Sequence, residues 1–204
     1  MPERHAAIVL AAGGSRRLGQ PKQLLRRDGE TLVARAVRLA AASGASRVLV
    51  MLGGAGEAVR GALLMQDGPI ELHVVADWHD GLSASLVAAA QALHAHRGPV
   101  LVMTVDQPAV ELGHLHRLLA GARGAASGCA AAVHDGRPGV PAVLSAALFA
   151  RAGTLRGDRG FGALLAALPT GTLFRLDAPE LERDVDTPED LQGARACGVL
   201  DPDL

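Results

Sequence analysis

Near the start of the chain, the run Ala11-Ala12-Gly13-Gly14-Ser15-Arg16-Arg17-Leu18-Gly19-Gln20-Pro21-Lys22 combines three glycines with three cations. Glycine lets backbone N–H groups approach phosphate oxygens with no Cβ in the way, and Arg17 and Lys22 can offset charge on nonbridging oxygens. That chemistry suits a polyphosphate, and a solvated turn between strand and helix is the plainer alternative. The P-loop pattern G-x-x-x-x-G-K-[ST] fails, since Gln20-Pro21 follows Gly14 to Gly19. The dinucleotide fingerprint G-x-G-x-x-G fails as well: Gly13-Gly14-Ser15 breaks its spacing, and Leu52-Gly53 lacks the acidic residue expected after the second strand.

Carboxylates supply the other half of a phosphate-transfer chemistry. Asp106 follows the apolar run Val100 to Val105, so it should emerge at a strand's carboxyl end, where open α/β sheets bind ligands, and Pro108 turns the chain just beyond. A cap for the next helix is the alternative reading. Asp184 and Asp186, two apart on a short extended segment, are expected on one face, where they could share an ion with Asp106. Opposing the dipole of the following helix is the alternative for that pair. A hard Mg2+ takes few carboxylates together with phosphate oxygens and water, and these residues offer that set. His94-x-His96 and His114-x-His116 lack the i, i+4 spacing of a zinc helix and are discounted. Trp78 could stack on a base or fill a core gap, and it is left out of the site.

The elements that must hold these groups alternate. Ala6 to Leu10 reads as a buried strand, Leu32 to Ala42 as a helix stopped by Gly44, Val48 to Leu52 as a strand and Glu57 to Leu64 as a helix. Leu72 to Val75, Ser83 to Ala95 and Val100 to Val105 continue as strand, helix, strand, which implies a parallel sheet. Regularity weakens beyond Pro108: a helix over Leu112 to Leu119, strands near Ala130 to Val133 and Val140 to Leu144, helices around Ala146 and Leu164, and a surface loop over Gly121 to Gly128. Thr187-Pro188-Glu189-Asp190 reads as a cap and first turn of a last helix.

Composition narrows the class. The 204 residues are 49% hydrophobic but only 2% aromatic, so Ala, Leu and Val must build the core, as suits helices packed on a parallel sheet in one domain over 1–204. A formal net charge of -1 leaves no basic excess for a nucleic-acid backbone or an anionic membrane. Cys129 and Cys197 are too few and too far apart for a disulfide scaffold, and Met1 to Leu10 is too short for a leader or a membrane span, so a cytoplasmic location is expected.

Leu10 to Lys22 fits L-A-A-G-x-x-x-R-x-G-x-x-K and resembles the signature of MobA-like nucleotidyltransferases, especially the molybdenum-cofactor cytidylyltransferase branch. Trp78-His79-Asp80-Gly81-Leu82-Ser83-Ala84-Ser85-Leu86 resembles that branch's W-x-x-G-x-x-S-S-L segment, and Asp106-Gln107-Pro108 its D-Q-P motif. Gly139-Val140-Pro141, Gly157-Asp158-Arg159-Gly160 and Asp184 to Leu191 are similar to its later elements, in the same order. Two departures stand out: Ala84 replaces the first serine of the pair, and Phe161-Gly162 replaces Ala-Arg after G-D-x-G, removing a cation from the acceptor half.

The resemblance implies a three-layer, Rossmann-like α/β fold with a mostly parallel central sheet, a nucleotide half over about 1–110 and an acceptor half over about 111–204. It implies transfer of a nucleotidyl group, with CTP preferred, to a phosphorylated small-molecule acceptor such as molybdopterin, with Mg2+ and release of pyrophosphate. A molybdoenzyme under maturation is a further implied partner. The implied nucleotide-binding set is Ala11, Ala12, Gly13, Gly14, Ser15, Arg17, Lys22, Gly81, Ser85 and Asp106, with Gly81 and Ser85 against base or ribose. Arg17, Lys22 and Asp106 are implied as catalytic, and Asp106 and Asp186 as metal ligands. Transfer to a sugar or polyol phosphate, or a silent nucleotide- or cofactor-binding module, are the alternatives.

Overall fold

The computed structural model describes residues 4–64 and 66–202. Of the opening stretch read as too short for a leader, Met1 to Glu3 therefore lie outside the described residues. The chain opens with β1 (Ala6–Ala11), a three-residue 3-10 turn at Lys22–Leu24 and a small antiparallel pair, β2 (Arg26–Arg27) and β3 (Glu30–Thr31). Then come α1 (Leu32–Ala42), β4 (Val48–Leu52), α2 (Gly56–Ala62), β5 (Ile70–Val74), α3 (Leu82–Ala92) and β6 (Val100–Thr104). The second half adds α4 (Leu112–Gly124), β7 (Ala130–His134), β8 (Arg137–Leu144), α5 (Ala146–Phe149), α6 (Gly162–Ala166), β9 (Phe174–Asp177) and α7 (Pro188–Ala196).

Seven strands form one sheet in the order β5-β4-β1-β6-β8-β7-β9. The first four are mutually parallel, β8 runs antiparallel to both its neighbours, and β9 is parallel to β7. All six residues of β1 are buried, as a central strand covered on both faces requires. Successive side chains leave opposite faces. Ala7, Val9 and Ala11 join a core with Val33 and Val37 of α1 and Leu115 and Leu118 of α4, whereas Ala6, Ile8 and Leu10 join Leu86 of α3, Phe149 and Leu165. The sheet is thus a middle layer between two helical ones.

A third, smaller core matters most for the site. Leu18, Leu25, Leu32, Val185, Leu191 and Leu200 pack together and tie the glycine-rich loop and the small hairpin to the segment before α7.

The expected loop over Gly121 to Gly128 is corrected: α4 continues to Gly124. Gly121 is there for packing, because a Cβ at that position would lie 2.2 Å from Cδ1 of Phe174 on β9. Leu115, Leu118, Leu119 and Ala122 keep the buried helical spacing through it. Strands β2, β3 and β9 were not expected from the sequence. Among the described residues no helix is long and apolar enough to cross a membrane.

Candidate active site

The glycine-rich loop leaves β1 at its carboxyl end, and Gln23 fixes its path. Gln23 is fully buried and donates from Nε2 to the carbonyls of Ala11 (2.8 Å) and Gly13 (2.7 Å). The Ser15 hydroxyl donates to Gln23 Oε1 (3.4 Å) and accepts from the backbone N–H of Lys22 (3.1 Å). These bonds hold Ser15 at φ +49°, a left-handed conformation that costs a non-glycine residue on the order of 1 kcal/mol. With two carbonyls turned onto Gln23, the N–H groups of Gly13, Gly14 and Ser15 donate to nothing among the described residues. A curl of backbone with unused N–H donors is a nest for an anion.

Beside that nest lies a group of alternating charges. Lys22 Nζ is 2.7 Å from Asp106 Oδ2 and 2.7 Å from Asp186 Oδ1, and Arg17 reaches the other Asp186 oxygen at 2.9 Å. Burial works against the charge on Lys22, but the Asp106 and Asp186 carboxylates outweigh it and raise its pKa above the usual lysine value. Burial likewise works against ionised Asp186, and its bonds and charge interactions with Lys22 and Arg17 win, so it titrates below the usual carboxylate value.

Both carboxylates are anchored by backbone. Asp106 lies two residues beyond the end of β6, and its carbonyl accepts from Val185 N–H at 2.9 Å. Asp186 is set by the start of α7, where Thr187 Oγ1 accepts from Asp190 N–H and Asp190 Oδ2 accepts from Thr187 N–H, a reciprocal capping box. The buried Val185 and Leu191 hold this segment in the third core alongside Leu18 of the glycine loop.

A cleft of about 530 Å³ opens over these groups, within the size range of small-molecule sites. Ala12, Gly13, Gly14, Ser15, Arg17, Lys22, Gly81, Ser85, Asp106 and Asp186 all line it. Ala11 does not. It is the last residue of β1, its side chain lies in the core, and its carbonyl is taken by Gln23. Asp184 does not join Asp186 over Lys22 either. Residues 184–186 belong to no strand, and Asp184 lines another hollow beside Gly193 and Cys197. Its surface stays open on one side, yet crowding by protein, followed by the Asp106 charge, pushes its pKa up to about 6.

Residues 7–172 match the family model described as the MobA-like NTP transferase domain. The chain belongs to that family. MobA-like members differ in name: the chain is 34% identical over 192 residues to a "Nicotine blue oxidoreductase" of Paenarthrobacter nicotinovorans, covering 90% of this chain and 93% of the relative. It is also 34% identical over 185 residues to a "Probable molybdenum cofactor guanylyltransferase" of Opitutus terrae, covering 87% and 86%. Among solved structures, Rv0371C of Mycobacterium tuberculosis in complex with manganese shares the fold, with a TM-score of 0.72 and 24% identity over 95% of this chain and 98% of that one. With names this divergent, residue chemistry must decide function within the MobA-like fold.

Two further residues belong to this cleft. Trp78 lines it, contrary to its omission above, and its ring fills a gap between two glycines. A Cβ on Gly14 would sit 2.9 Å from Trp78 Cζ3, and one on Gly54 would sit 2.7 Å from Cζ2. Gln23 is the second, a polar residue hidden between Lys22 and the apolar Leu24-Leu25. Asp158, quoted above without a role, also lines the cleft, and Gly81 at φ +101° accommodates it: a Cβ there would be 2.6 Å from Asp158 Oδ1.

Asp106 Oδ1 is buried and has no hydrogen-bond partner among the described residues. A buried carboxylate oxygen left without a donor is a group that a cation would satisfy. Among the described residues no cluster of three metal-ligating side chains exists, so Asp106 and Asp186 fit a hard ion that takes its remaining ligands from phosphate and water.

Proposed function

We propose that this MobA-like protein transfers a nucleotidyl group from a nucleoside triphosphate, CTP by preference, to the terminal phosphate of a molybdopterin-type acceptor, releasing pyrophosphate. The observation that carries the reading is the junction of two features in one cleft. An anion nest of unused N–H groups at Gly13, Gly14 and Ser15 stands beside Lys22, which both carboxylates bond at 2.7 Å.

In this reading the nest and the cations Arg17 and Lys22 bind the triphosphate, neutralising charge that builds on the departing pyrophosphate. An acceptor phosphate oxygen attacks the α-phosphorus, the bond from that phosphorus to its β-bridging oxygen breaks, and pyrophosphate carries away the electron pair. A phosphate monoester, with a second pKa of about 6, is already mostly dianionic at neutral pH, so no general base is needed. Asp106 and Asp186 would hold Mg2+, which when bound supplies Lewis-acid stabilisation of the phosphate charge. The solved manganese complex of a protein with this fold supports a divalent ion. Gly81, Ser85 and Trp78 face the base and ribose, and residues 1–110 supply most of the nucleotide contacts. Residues 111–204 supply the acceptor side, although Asp186 crosses over to the metal. Handing the finished cofactor to a molybdoenzyme completes the role.

CTP is preferred on the Ala11-Ala12-Gly13 pattern, and the relative named as a guanylyltransferase makes GTP the competitor to test. A thermal-shift panel of all four nucleotides ranks them, because a ligand of the native state alone raises its stability. Pyrophosphate release is then measured with each candidate acceptor, using molybdopterin and sugar phosphates. Release with molybdopterin that vanishes in Asp106→Asn, while the variant keeps its fold, is the expected result. Nucleotide binding with no pyrophosphate from any acceptor would replace the enzyme by a silent binding module.

A further inference from the structure

At the end of the sheet opposite the nucleotide cleft, a cavity of about 830 Å³ opens between the amino ends of β1 and β6, the end of α4 and the start of α5. One strand length separates the two, roughly 20 Å for the six residues of β1. Arg4, Arg97 and Arg123 ring this cavity and His5 lies in its wall, with no Asp or Glu among the described lining residues. The chain as a whole carries a formal net charge of -1, so this concentration of cations is local.

The donors here have capacity to spare. A guanidinium offers five N–H groups, and Arg4 commits NH2 to the Gly44 carbonyl at 3.1 Å. Neither Arg4 nor Arg123 forms an ion pair among the described residues. Two hydroxyls in the wall have already given their protons: Ser43 donates to the Ala40 carbonyl (2.6 Å) and Ser127 to the Thr172 carbonyl (2.8 Å), while Ser145 caps α5 by accepting from Leu148 N–H. A neutral polar ligand would find few partners, whereas an anion would find several charge-assisted ones.

His5 registers the same potential. Ser43 gives its proton to Ala40, so at 2.9 Å it accepts from His5, which fixes the imidazole proton on Nε2. Burial, followed by the charges of Arg123, Arg4, His96 and His116, pushes the His5 pKa down to about 4.

We propose that this basic cavity is a second ligand site, separate from the nucleotide cleft, that takes a small oxyanion bearing at least two negative charges. Phosphate and carboxylate groups share that chemistry, and two probes separate them.

The test follows backbone amide resonances of the full-length protein during titration with pyrophosphate, and then with citrate, against sodium chloride at matched ionic strength. Saturable shifts at His5, Ser43, Ser127 and Ser145 are expected. A response to both probes indicates recognition of charge, and a response to pyrophosphate alone indicates phosphate; either supports the site. Arg123→Gln should weaken this response at least about tenfold, the loss of one charge-assisted bond, and leave any shifts at Gly13 to Ser15 unchanged. Arg4→Gln serves if Arg123→Gln does not fold. Shifts that follow sodium chloride without saturating, or that persist unchanged in both variants, overturn the proposal. The glycine-loop resonances report on the nucleotide cleft in the same spectra, so failure of one site is distinguishable from failure of the other.

Discussion

Gln23 touches no solvent, and its side-chain amide bridges the two carbonyls that the glycine loop turns inward, those of Ala11 and Gly13. Replacing it by Leu keeps the bulk and strips both acceptors of their donor, at a cost of about 1–3 kcal/mol for the buried Ala11 carbonyl and less for that of the exposed Gly13. Part of that cost is relieved if the loop rotates its peptides, and rotation would turn N–H groups away from the cleft. Gln23→Leu is therefore expected to raise the nucleotide KM at least about tenfold with a smaller drop in kcat, as read from steady-state pyrophosphate release. A KM within twofold of the parent would make Gln23 a core residue only. The neighbouring site residues differ in how visible they were. Lys22 and Asp106 could be found because charge beside glycines and a carboxylate after an apolar strand are patterns along the chain. Gln23 could not, because its role depends on which carbonyls the fold brings to it, and spacing alone could not show that Asp184 faces a different hollow from Asp186.

Among the elements, α4 gives a paired test within one helix. Glycine to alanine ordinarily stabilises a helix interior by up to about 1 kcal/mol. Gly113 has nothing within 4 Å of a built Cβ, so Gly113→Ala should raise the thermal midpoint. Gly121→Ala should lower it, by about 1–3 kcal/mol of overpacking against Phe174, and Phe174→Leu in the same chain should recover part of the loss. Opposite signs in calorimetry confirm the contact; equal signs refute it. The same residue explains why α4 was cut short in the sequence reading: glycine signals a helix end unless a partner such as Phe174, distant in sequence, requires the space. Helix α1 was legible over its span and at its end, where Gly44 terminates its turn at φ +86°; the structure adds the Thr31 cap at its start. Strand β9 was not legible, because its Phe-Arg-Leu-Asp alternation runs over only four residues and buries Leu176 alone.

At the scale of the whole molecule, His5 links the fold to pH. Its folded pKa of about 4 lies below the ordinary histidine value of 6.5, so the unfolded chain binds more protons between those limits. Its contribution is fully present above pH 6.5 and is lost as pH falls toward 4, a difference on the order of 3 kcal/mol. Urea unfolding at several pH values should show the parent losing stability over that window more steeply than His5→Leu. Parallel slopes would mean that His5 titrates normally. The architecture around it was the most legible part of the chain, because alternating apolar runs and helices leave few options beyond a parallel sheet. What the alternation could not convey is the third core, which joins Leu18 to Val185 and Leu191 across almost the full chain. Asp186 consequently belongs to the cleft although it lies beyond the family-matched residues 7–172.

The ring that fills the gap between Gly14 and Gly54 gives the protein a built-in optical reporter. Trp78 is the one tryptophan of the sequence, which has no tyrosine, so ultraviolet emission from the folded chain comes from a single indole at the wall of the nucleotide cleft. Nucleotide arriving beside it should change the intensity or colour of that emission in a saturable way, in unlabelled protein and on the stopped-flow timescale. Pyrophosphate bound only in the distant basic cavity should leave that emission unchanged, so one beam of light can tell which end of the molecule has been filled.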